Sequence, residues 1–437
     1  MPTDLLELSA RIIDTGDLST PTNRINLELS EVADGLAVVE AFSHVWALRT
    51  DDGLALFDAS SDALGAAVVT SLRGWSTDPV DTIVYTHGHR DHVGGAPAFL
   101  ADAETRGHRR PRVVAHEAVA ARLDRYDLTN GYNAVINQRQ FRLPEAYWPR
   151  DWVRPAVDFR QELVLDVGGH RIELHHDRGE TDDHAWAWLP EARAILAGDF
   201  LIWNFPNAGN PQKVQRYPLE WAAALRTMAG QGAELFLPAH GLPIGGADRI
   251  TMVLEATADA LESLVSQTLE LMNQGAPLDQ IVHTVSLPAE VLGQPWLRPD
   301  YDEPEFVVRN IWRLYGGWYD GNPARLKPAP DEAIAAEVAA LAGGADALSR
   351  RALEVADAGD LRLAAQLVEW ATGADPADAG VHHVRAEIYR RRRHQETSLM
   401  AKGIYRSAAE DSARLAGDPA PATSPQGPAG RSPLGRP

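Results

Sequence analysis

The chain has 437 residues, 45% of them hydrophobic, with a formal net charge of −20 and no cysteine. Its length favours two domains, and its charge argues against nucleic acid and anionic lipid surfaces as partners, because both would be repelled. Without cysteine there is neither a disulfide nor a thiolate metal site, so a bound metal ion would need histidine and carboxylate ligands.

The chain contains no apolar run of membrane length, which argues against a transmembrane segment. Its first residues, Met1 to Glu7, lack the basic start and apolar stretch of a secretory signal. We therefore expect a cytoplasmic protein, unless a signal peptide has been removed.

The first 35 residues carry little signal, and they are interpreted as an N-terminal extension. Short β-branched and apolar runs then predict strands at 36–39, 45–49 and 54–57. Asp58 follows the last of these strands. A helix at 63–72 and a buried strand at 80–85 complete this part of the chain.

Three histidines and an aspartate, His87, His89, Asp91 and His92, lie within six positions directly after the buried strand. His87 and His89 are two residues apart and point the same way in an extended segment, whereas the other two follow a turn. This geometry suits two adjacent metal ions. Ordinary surface histidines are the alternative, which would require four apt residues to share this spacing by chance.

The stretch resembles the His-x-His-x-Asp-His signature of the metallo-β-lactamase superfamily. The resemblance implies an αββα sandwich with two metal ions at one edge. It also implies that an aspartate near Asp58 supports the metal loop, although a simple role as a strand-end turn residue is an equal alternative for Asp58.

Three later strand ends carry the other ligands that the resemblance implies. Glu180 stands where much of the superfamily has a third histidine, Asp199 ends a strand at 194–199, and His240 stands at the end of a strand that begins at residue 235. One metal would take His87, His89 and Glu180, and the other would take Asp91, His92 and His240. Asp199 and a hydroxide would lie between them. His184 is expected to support the site without binding metal, and Zn²⁺ is the default for both ions.

Two polar segments are candidates for binding a substrate. The segment 130–141 is interpreted either as a surface excursion or as a pocket wall that presents Asn133, Asn137 and Arg139, with Trp148 and Trp152 as apolar neighbours. The loop 203–217 is interpreted either as a solvated loop or as a clamp for an anionic group. Its candidate residues are Trp203, Asn207, Asn210, Lys213 and Arg216, of which Lys213 and Arg216 are assigned a catalytic role together with Asp91 and Asp199.

After residue 246, apolar residues recur at helical spacing, and the pattern is loosely tetratricopeptide-like. The stretches 313–323, 359–365 and 398–403 resemble the dimerisation domain of the alkylsulfatase branch of the superfamily. That branch uses a glutamate among its ligands, as Glu180 would be, but it commonly has a bridging glutamate where this chain has Asp199.

The resemblance implies an α/β fold, an αββα sandwich followed by an all-α dimerisation domain. The predicted boundaries are 1–35 for the extension, 36–246 for the catalytic domain, 247–415 for the helical domain and 416–437 for a disordered tail. We expect a homodimer that hydrolyses sulfate esters of alkyl alcohols, small amphiphilic anions, with metal-activated water. Hydrolysis of a phosphodiester or lactone, and a non-catalytic dimeric scaffold, remain the alternatives.

Overall fold

The computed structural model describes residues 4–418, which divide into two compact units. Within that range, the first unit comprises residues 4–134 and 147–317, and the second comprises residues 135–146 and 318–418. The predicted disordered tail lies outside the described residues beyond Asp418. No helix within residues 4–418 combines the length and the apolar character that crossing a bilayer requires.

The first sheet of the first unit has seven strands, which lie side by side in the order of the chain. The first four strands pair antiparallel and the last three join the sheet in parallel. The strands are β1 (Leu29–Ala33), β2 (Leu36–Val39), β3 (Val45–Thr50), β4 (Gly53–Phe57), β5 (Val80–Val84), β6 (Arg112–His116) and β7 (Val157–Phe159).

The second sheet has six strands in the order β13-β12-β11-β10-β9-β8. All neighbours pair antiparallel except β11 and β12, which are parallel. The strands are β8 (Glu162–Val167), β9 (His170–His176), β10 (Ala185–Leu189), β11 (Ala194–Gly198), β12 (Leu235–Pro238) and β13 (Ile244–Gly245).

Successive side chains along β3 of the first sheet lie in two different hydrophobic cores. In β3, Trp46 and Leu48 face the core shared with the second sheet, whereas Val45 and Ala47 face helices on the opposite side. This is the period of two expected for a strand that is buried on both faces. The four layers form an αββα sandwich, which confirms the predicted fold class.

The first unit contains eleven helices among its described residues. They are α1 (Leu5–Thr15), α2 (Gly65–Trp75), α3 (Arg90–Val93), α4 (Ala96–Arg106), α5 (Ala118–Leu128), the start of α6 (Asn130–Phe141), α7 (Pro218–Ala229), α8 (Ala247–Asn273), α9 (Leu278–Thr284), α10 (Ala289–Leu292) and α11 (Pro304–Gly316). The helical region expected after residue 246 thus begins at α8, which packs on α7 within the first unit. The domain boundaries drawn from the sequence stay a prediction.

The second unit is helical throughout its described part. Apart from the end of α6, it contains α12 (Asp331–Ala342), α13 (Ala345–Asp357), α14 (Leu361–Ala374), α15 (Ala379–Gln395) and α16 (Leu399–Leu415). Successive helices from α13 to α16 pack on one another, as in a helical repeat.

Two segments are more regular than their sequences indicated. Residues 5–15 form α1, whose first turn is capped by the Asp4 carboxylate. Residues 130–141 form α6, although no helical periodicity is visible in their apolar residues. The buried positions of α6 do recur at helical spacing, but Asn133, Asn137 and Gln140 occupy several of them. Because amides occupy part of the buried face, the apolar residues alone do not show the helical period.

Candidate metal centre

The predicted ligands meet at one edge of the two sheets, because each follows the end of a strand. His87 and His89 follow β5, Asp199 follows β11 directly, and His240 lies two residues beyond β12. Glu180 lies in the connection between β9 and β10. Asp91 and His92 lie in α3, the single turn after the histidine pair. The seven side chains form two groups, each with ligand atoms within 4.8 Å of one another.

The first group contains His87, His89, Glu180 and Asp199. Glu180 Oε2 lies 3.8 Å from both His87 Nε2 and His89 Nδ1. Asp199 Oδ2 lies 3.9 Å from His87 Nε2. One cation between these atoms would contact nitrogen and oxygen donors of the kind that zinc binds.

The second group contains Asp91, His92 and His240. Asp91 Oδ2 lies 3.4 Å from His240 Nε2 and 3.7 Å from His92 Nε2. Asp199 also reaches this group, since its Oδ1 lies 3.4 Å from His92 Nε2 and 3.5 Å from His240 Nε2. The two oxygens of Asp199 thus face different groups, as a bridging carboxylate requires.

The unsatisfied atoms at the centre fit a divalent cation. His92 Nε2, Glu180 Oε2 and Asp199 Oδ1 are buried, and none has a hydrogen-bond partner among residues 4–418. A buried polar atom without a partner costs about 1–3 kcal/mol. All three atoms point toward the spaces where the two groups converge, so metal ions there would remove this cost. The donor set of histidine and carboxylate suits zinc or another first-row divalent metal.

Burial shifts the pKa of three candidate ligands, His87, His89 and Glu180. Loss of solvent lowers the pKa of His87 and His89 well below the usual range, so both rings are neutral and keep a lone pair for a metal. Burial also raises the pKa of Glu180 well above its usual value, and the neighbouring Asp199 carboxylate adds to the rise. A bound cation would reverse this penalty for the carboxylates.

Asp58 supports the metal loop, as the superfamily resemblance implied. Its Oδ1 accepts a hydrogen bond from the Thr86 backbone N–H at 2.8 Å, and its Oδ2 lies 2.7 Å from His92 Nδ1. The carboxylate thus accepts the Nδ1 proton of His92 and leaves Nε2 free for a metal. Gly198 permits the close approach of β11, since a Cβ there would lie 2.8 Å from Thr86 and from His184 Nε2.

Glu180 is held by two residues of the loop that was predicted to bind substrate. Asn207 Nδ2 donates to Glu180 Oε1, and Arg216 donates to the Glu180 backbone oxygen. Arg216 Nη1 also lies 3.3 Å from Glu180 Oε1. These contacts leave Oε2 directed at the histidines. Both residues therefore position a candidate ligand, and their predicted contact with substrate stays a prediction.

The other predicted substrate residues lie in different surroundings. Trp203 is buried in the core and donates through its indole N–H to the Leu242 oxygen at 2.8 Å. Asn210 Nδ2 reaches Asn207 Oδ1 at 3.4 Å. Asn133 donates to Thr129, the residue that precedes α6. Asn137 and Arg139 lie on α6 in the second unit, and their role stays a prediction.

Lys213 lies beside an aromatic ring and a second cation. Its Nζ lies 5.5 Å from the centre of the Trp148 ring, and the Arg90 guanidinium lies 5.4 Å from the same ring. Burial, together with the nearby Arg216 charge, lowers the pKa of Lys213 to about 7. Arg90 itself belongs to the metal loop and pairs with Asp62. Lys213 is thus a cation that can lose its proton near neutral pH.

Sequence reasoning missed the part that His44 plays. Its Nε2 donates to the Gly241 oxygen at 2.8 Å, and its backbone N–H donates to Ala239 O at 2.7 Å. Burial lowers its pKa to about 4, so the ring is neutral. His44 therefore fixes the turn that carries His240, but a lone histidine 43 residues before His87 gives no signal of this.

His184 contacts the backbone of the centre, and its predicted supporting role stays a prediction. Its Nε2 accepts a hydrogen bond from the Asp199 backbone N–H at 3.2 Å, and burial lowers its pKa to about 3. Its Nε2 is therefore engaged with the backbone. The ligands with the most exposed side chains are Asp91 (18%), His89 (17%) and His240 (11%), which mark the side from which a substrate can enter.

Two family models match the chain. Residues 38–240 match the metallo-beta-lactamase superfamily, and residues 277–414 match the alkyl sulfatase dimerisation family. A linear primary-alkylsulfatase from Pseudomonas sp. is 27% identical over 395 residues, which cover 85% of this chain and 74% of that protein. An (R)-specific secondary-alkylsulfatase from Pseudomonas sp. is 26% identical over 388 residues, which cover 83% of this chain and 58% of that protein.

A solved structure shows the same fold. The stereoselective inverting sec-alkylsulfatase from Pseudomonas sp. superimposes with a TM-score of 0.79 at 24% identity, over 89% of this chain and 66% of that one. The superfamily match and the ligand groups together support binding of a divalent metal. The chain thus joins a region that matches the metallo-beta-lactamase superfamily to a region that matches the alkyl sulfatase dimerisation family, which confirms the predicted resemblance to the alkylsulfatase branch.

Proposed function

We propose that this chain is a binuclear metal-dependent hydrolase that cleaves sulfate esters of alkyl alcohols and holds two Zn²⁺ ions. The observation that carries the proposal is the pair of ligand groups that share Asp199, in a chain that also matches the alkyl sulfatase dimerisation family. The named relatives are alkylsulfatases, and the chain spans 58% to 74% of their length.

The chain's own residues prepare the centre for ester hydrolysis. His87, His89 and Glu180 would hold one ion, while Asp91, His92 and His240 would hold the other, with Asp199 between them. When bound, two such ions supply Lewis acidity and lower the pKa of water toward ~7. The surrounding protein excludes bulk water from one side, since His87, His92 and Glu180 are almost completely buried.

Lys213 is the residue that we assign to the sulfate group. A sulfate monoester carries one negative charge, so it needs less compensation than a phosphate monoester. The Lys213 ammonium is available below its pKa of about 7. Arg216 would act mainly through Glu180, because its guanidinium already contacts that residue.

Metal analysis and substitution of the candidate ligands test the proposed metal centre. We expect about two divalent ions per chain, and we expect His87→Ala and Asp199→Ala to abolish hydrolysis while the circular dichroism spectrum is unchanged. His283→Ala is the matched control, because His283 is an exposed histidine on α9. A purified protein that neither carries nor binds Zn²⁺ or Mn²⁺ would refute the proposal.

A substrate panel tests the chemistry. Medium-chain alkyl sulfates should be hydrolysed, phosphate monoesters should react far more slowly, and phosphodiesters and lactones should be inert. If phosphodiesters or lactones react while every alkyl and aryl sulfate is inert, the protein is a metallohydrolase of another ester. If the metals bind but no ester reacts, the scaffold alternative is correct.

We also propose a homodimer that is held by residues after about 247. The match of residues 277–414 to the dimerisation family supports it, as do the exposed apolar side chains Trp318, Leu326 and Leu341 of the second unit. Light scattering at micromolar concentration should give twice the chain mass. A monomer mass under those conditions would contradict the dimer without affecting the metal centre.

A further inference from the structure

We propose that the buried ion pair of Arg122 and Asp183 is a clamp that sets the affinity of the first metal site, which rests on the proposed function. The pair joins the two loops that deliver the ligands of that site. One loop carries His87 and His89, and the other carries Glu180. Neither Arg122 nor Asp183 belongs to the ligand groups, so both are positioning residues.

Asp183 is the centre of the clamp. Its Oδ2 accepts a hydrogen bond from the Gly88 backbone N–H at 3.0 Å and another from Arg122 Nε at 2.7 Å. Gly88 is the residue between His87 and His89, so this contact fixes the backbone from which both rings project. Asp183 itself lies three residues after Glu180 and is completely buried.

Arg122 ties this arrangement to helix α5. Its side chain is 2% exposed, and it also pairs with Asp182, which lies in the Glu180 loop. One guanidinium therefore contacts two successive residues of that loop, Asp182 and Asp183. Asp183 in turn binds the histidine loop through the Gly88 N–H. A planar fork with several donors suits this task better than an ammonium group.

The packing around Gly88 shows how closely the loop is fitted to the clamp. A Cβ at this position would lie 2.8 Å from Arg122 Cδ and 3.0 Å from Asp183 Oδ2. Real Cβ atoms do not approach neighbours so closely, and the far end of the Arg122 side chain is already held by its ion pairs. The histidine loop therefore has little freedom to move independently of Arg122.

The second site has a different support. His92 is held by Asp58 through its Nδ1, and the His240 turn is held by His44. Within residues 4–418, no hydrogen bond or ion pair joins Arg122 or Asp183 to Asp91, His92 or His240. Loosening the clamp should therefore weaken the first site selectively, by about 10- to 100-fold as is typical when the residues that orient a ligand are lost.

The test measures metal affinity rather than activity alone. The full chain is loaded with Zn²⁺ and titrated with a chelator, and the metal that remains bound is counted by mass spectrometry. His240→Ala removes one of the two release steps and so identifies the step of the second site. In Asp183→Ala, which removes the acceptor of the Gly88 N–H, and in Arg122→Met, the other step should shift by 10-fold or more, while the second-site step should move by less than about 3-fold.

Two further variants separate positioning from general stability. The double variant Arg122→Met/Asp183→Ala leaves no unpaired buried charge, so it should recover much of the thermal stability that Arg122→Met loses. Its first-site affinity should stay low. Arg122→Lys retains one ion pair and should show a smaller loss, of about 3-fold or more, and it replaces the methionine variant if that one does not fold.

Asp124→Asn is the matched control, because Asp124 lies on the same helix and pairs with Arg154 at the surface. It should leave both release steps unchanged. The inference is overturned if the clamp variants keep wild-type affinity at the first site, or if the double variant restores affinity together with stability. Those outcomes leave the proposed function intact. Absence of metal from the unsubstituted protein would instead overturn the proposed function, so the two failures are distinguishable.

Discussion

Replacing Asp58 by asparagine should exchange the proton between the two ring nitrogens of His92. Asp58 Oδ1 accepts the Thr86 backbone N–H at 2.8 Å, and Oδ2 lies 2.7 Å from His92 Nδ1. In Asp58→Asn, the amide oxygen must stay with the buried Thr86 N–H, so the NH₂ group faces His92. It would donate to Nδ1, which forces the proton to Nε2. That atom is the one directed at Asp91 and Asp199.

The magnitude follows from the hydrogen bond that changes. A hydrogen bond to a charged group contributes about 1.5–3 kcal/mol, so the metal-binding tautomer should become roughly 10- to 150-fold rarer. Metal affinity at the second site should fall by a similar factor. The first site should change little, because its own ligands keep their contacts.

The assay is a competition titration of Zn²⁺ with a chelator, read as two release steps. Asp102→Asn is the control, since Asp102 is a mostly buried carboxylate paired with Arg73 away from the metal loop. The control should lower the unfolding free energy without changing either step. Equal loss of both metals in Asp58→Asn, or wild-type affinity at the second site, would refute the tautomer argument.

Three more perturbations have defined outcomes. Glu180→Asp should lose the first metal preferentially, because one methylene withdraws the oxygen from a site tuned to within roughly 0.2 Å; full metal content and rate in that variant would contradict a ligand role. Removing the metals with a chelator should lower the unfolding temperature by about 5 °C or more, since ligands that bind only the folded state stabilise it; an unchanged temperature in calorimetry would argue against bound metal. Burial raises the pKa of Asp302 to about 6, above its unfolded value, so its protonated form stabilises the fold. That stabilisation, about 3 kcal/mol, should be lost as pH rises from 4 to 7, and urea titrations should show a flatter dependence for Asp302→Asn; parallel curves would contradict this.

The local sequence determined the candidate ligands of the first motif and the fold class. His87, His89, Asp91 and His92 lie within six residues, so their relation is fixed by the backbone of one loop. The strands of the sandwich are short runs of apolar residues. Such a run can be recognised from its own residues, without knowledge of the strands with which it pairs. The expectation that ligands at separate strand ends would meet followed from the fold that the signature implied.

The supporting contacts were not visible in the sequence, because they join residues far apart in the chain. Arg122 contacts Asp183 across 61 positions, and His44 contacts Gly241 across 197. An arginine on an amphipathic helix and a lone histidine are ordinary residues until the tertiary structure places them. Their function depends on which partner is buried beside them.

In the loop 203–217, the contacts expected from the residue types differ from those in the tertiary structure. Amide and basic residues directly after the aspartate that was predicted to bridge two metals led us to expect contact with a substrate. The structure places Arg216 and Asn207 on Glu180 and places Trp203 in the core. Composition determined that this loop would carry hydrogen-bond donors. Only the tertiary structure decided what they face, because a buried carboxylate nearby must be satisfied before a donor is free for a ligand.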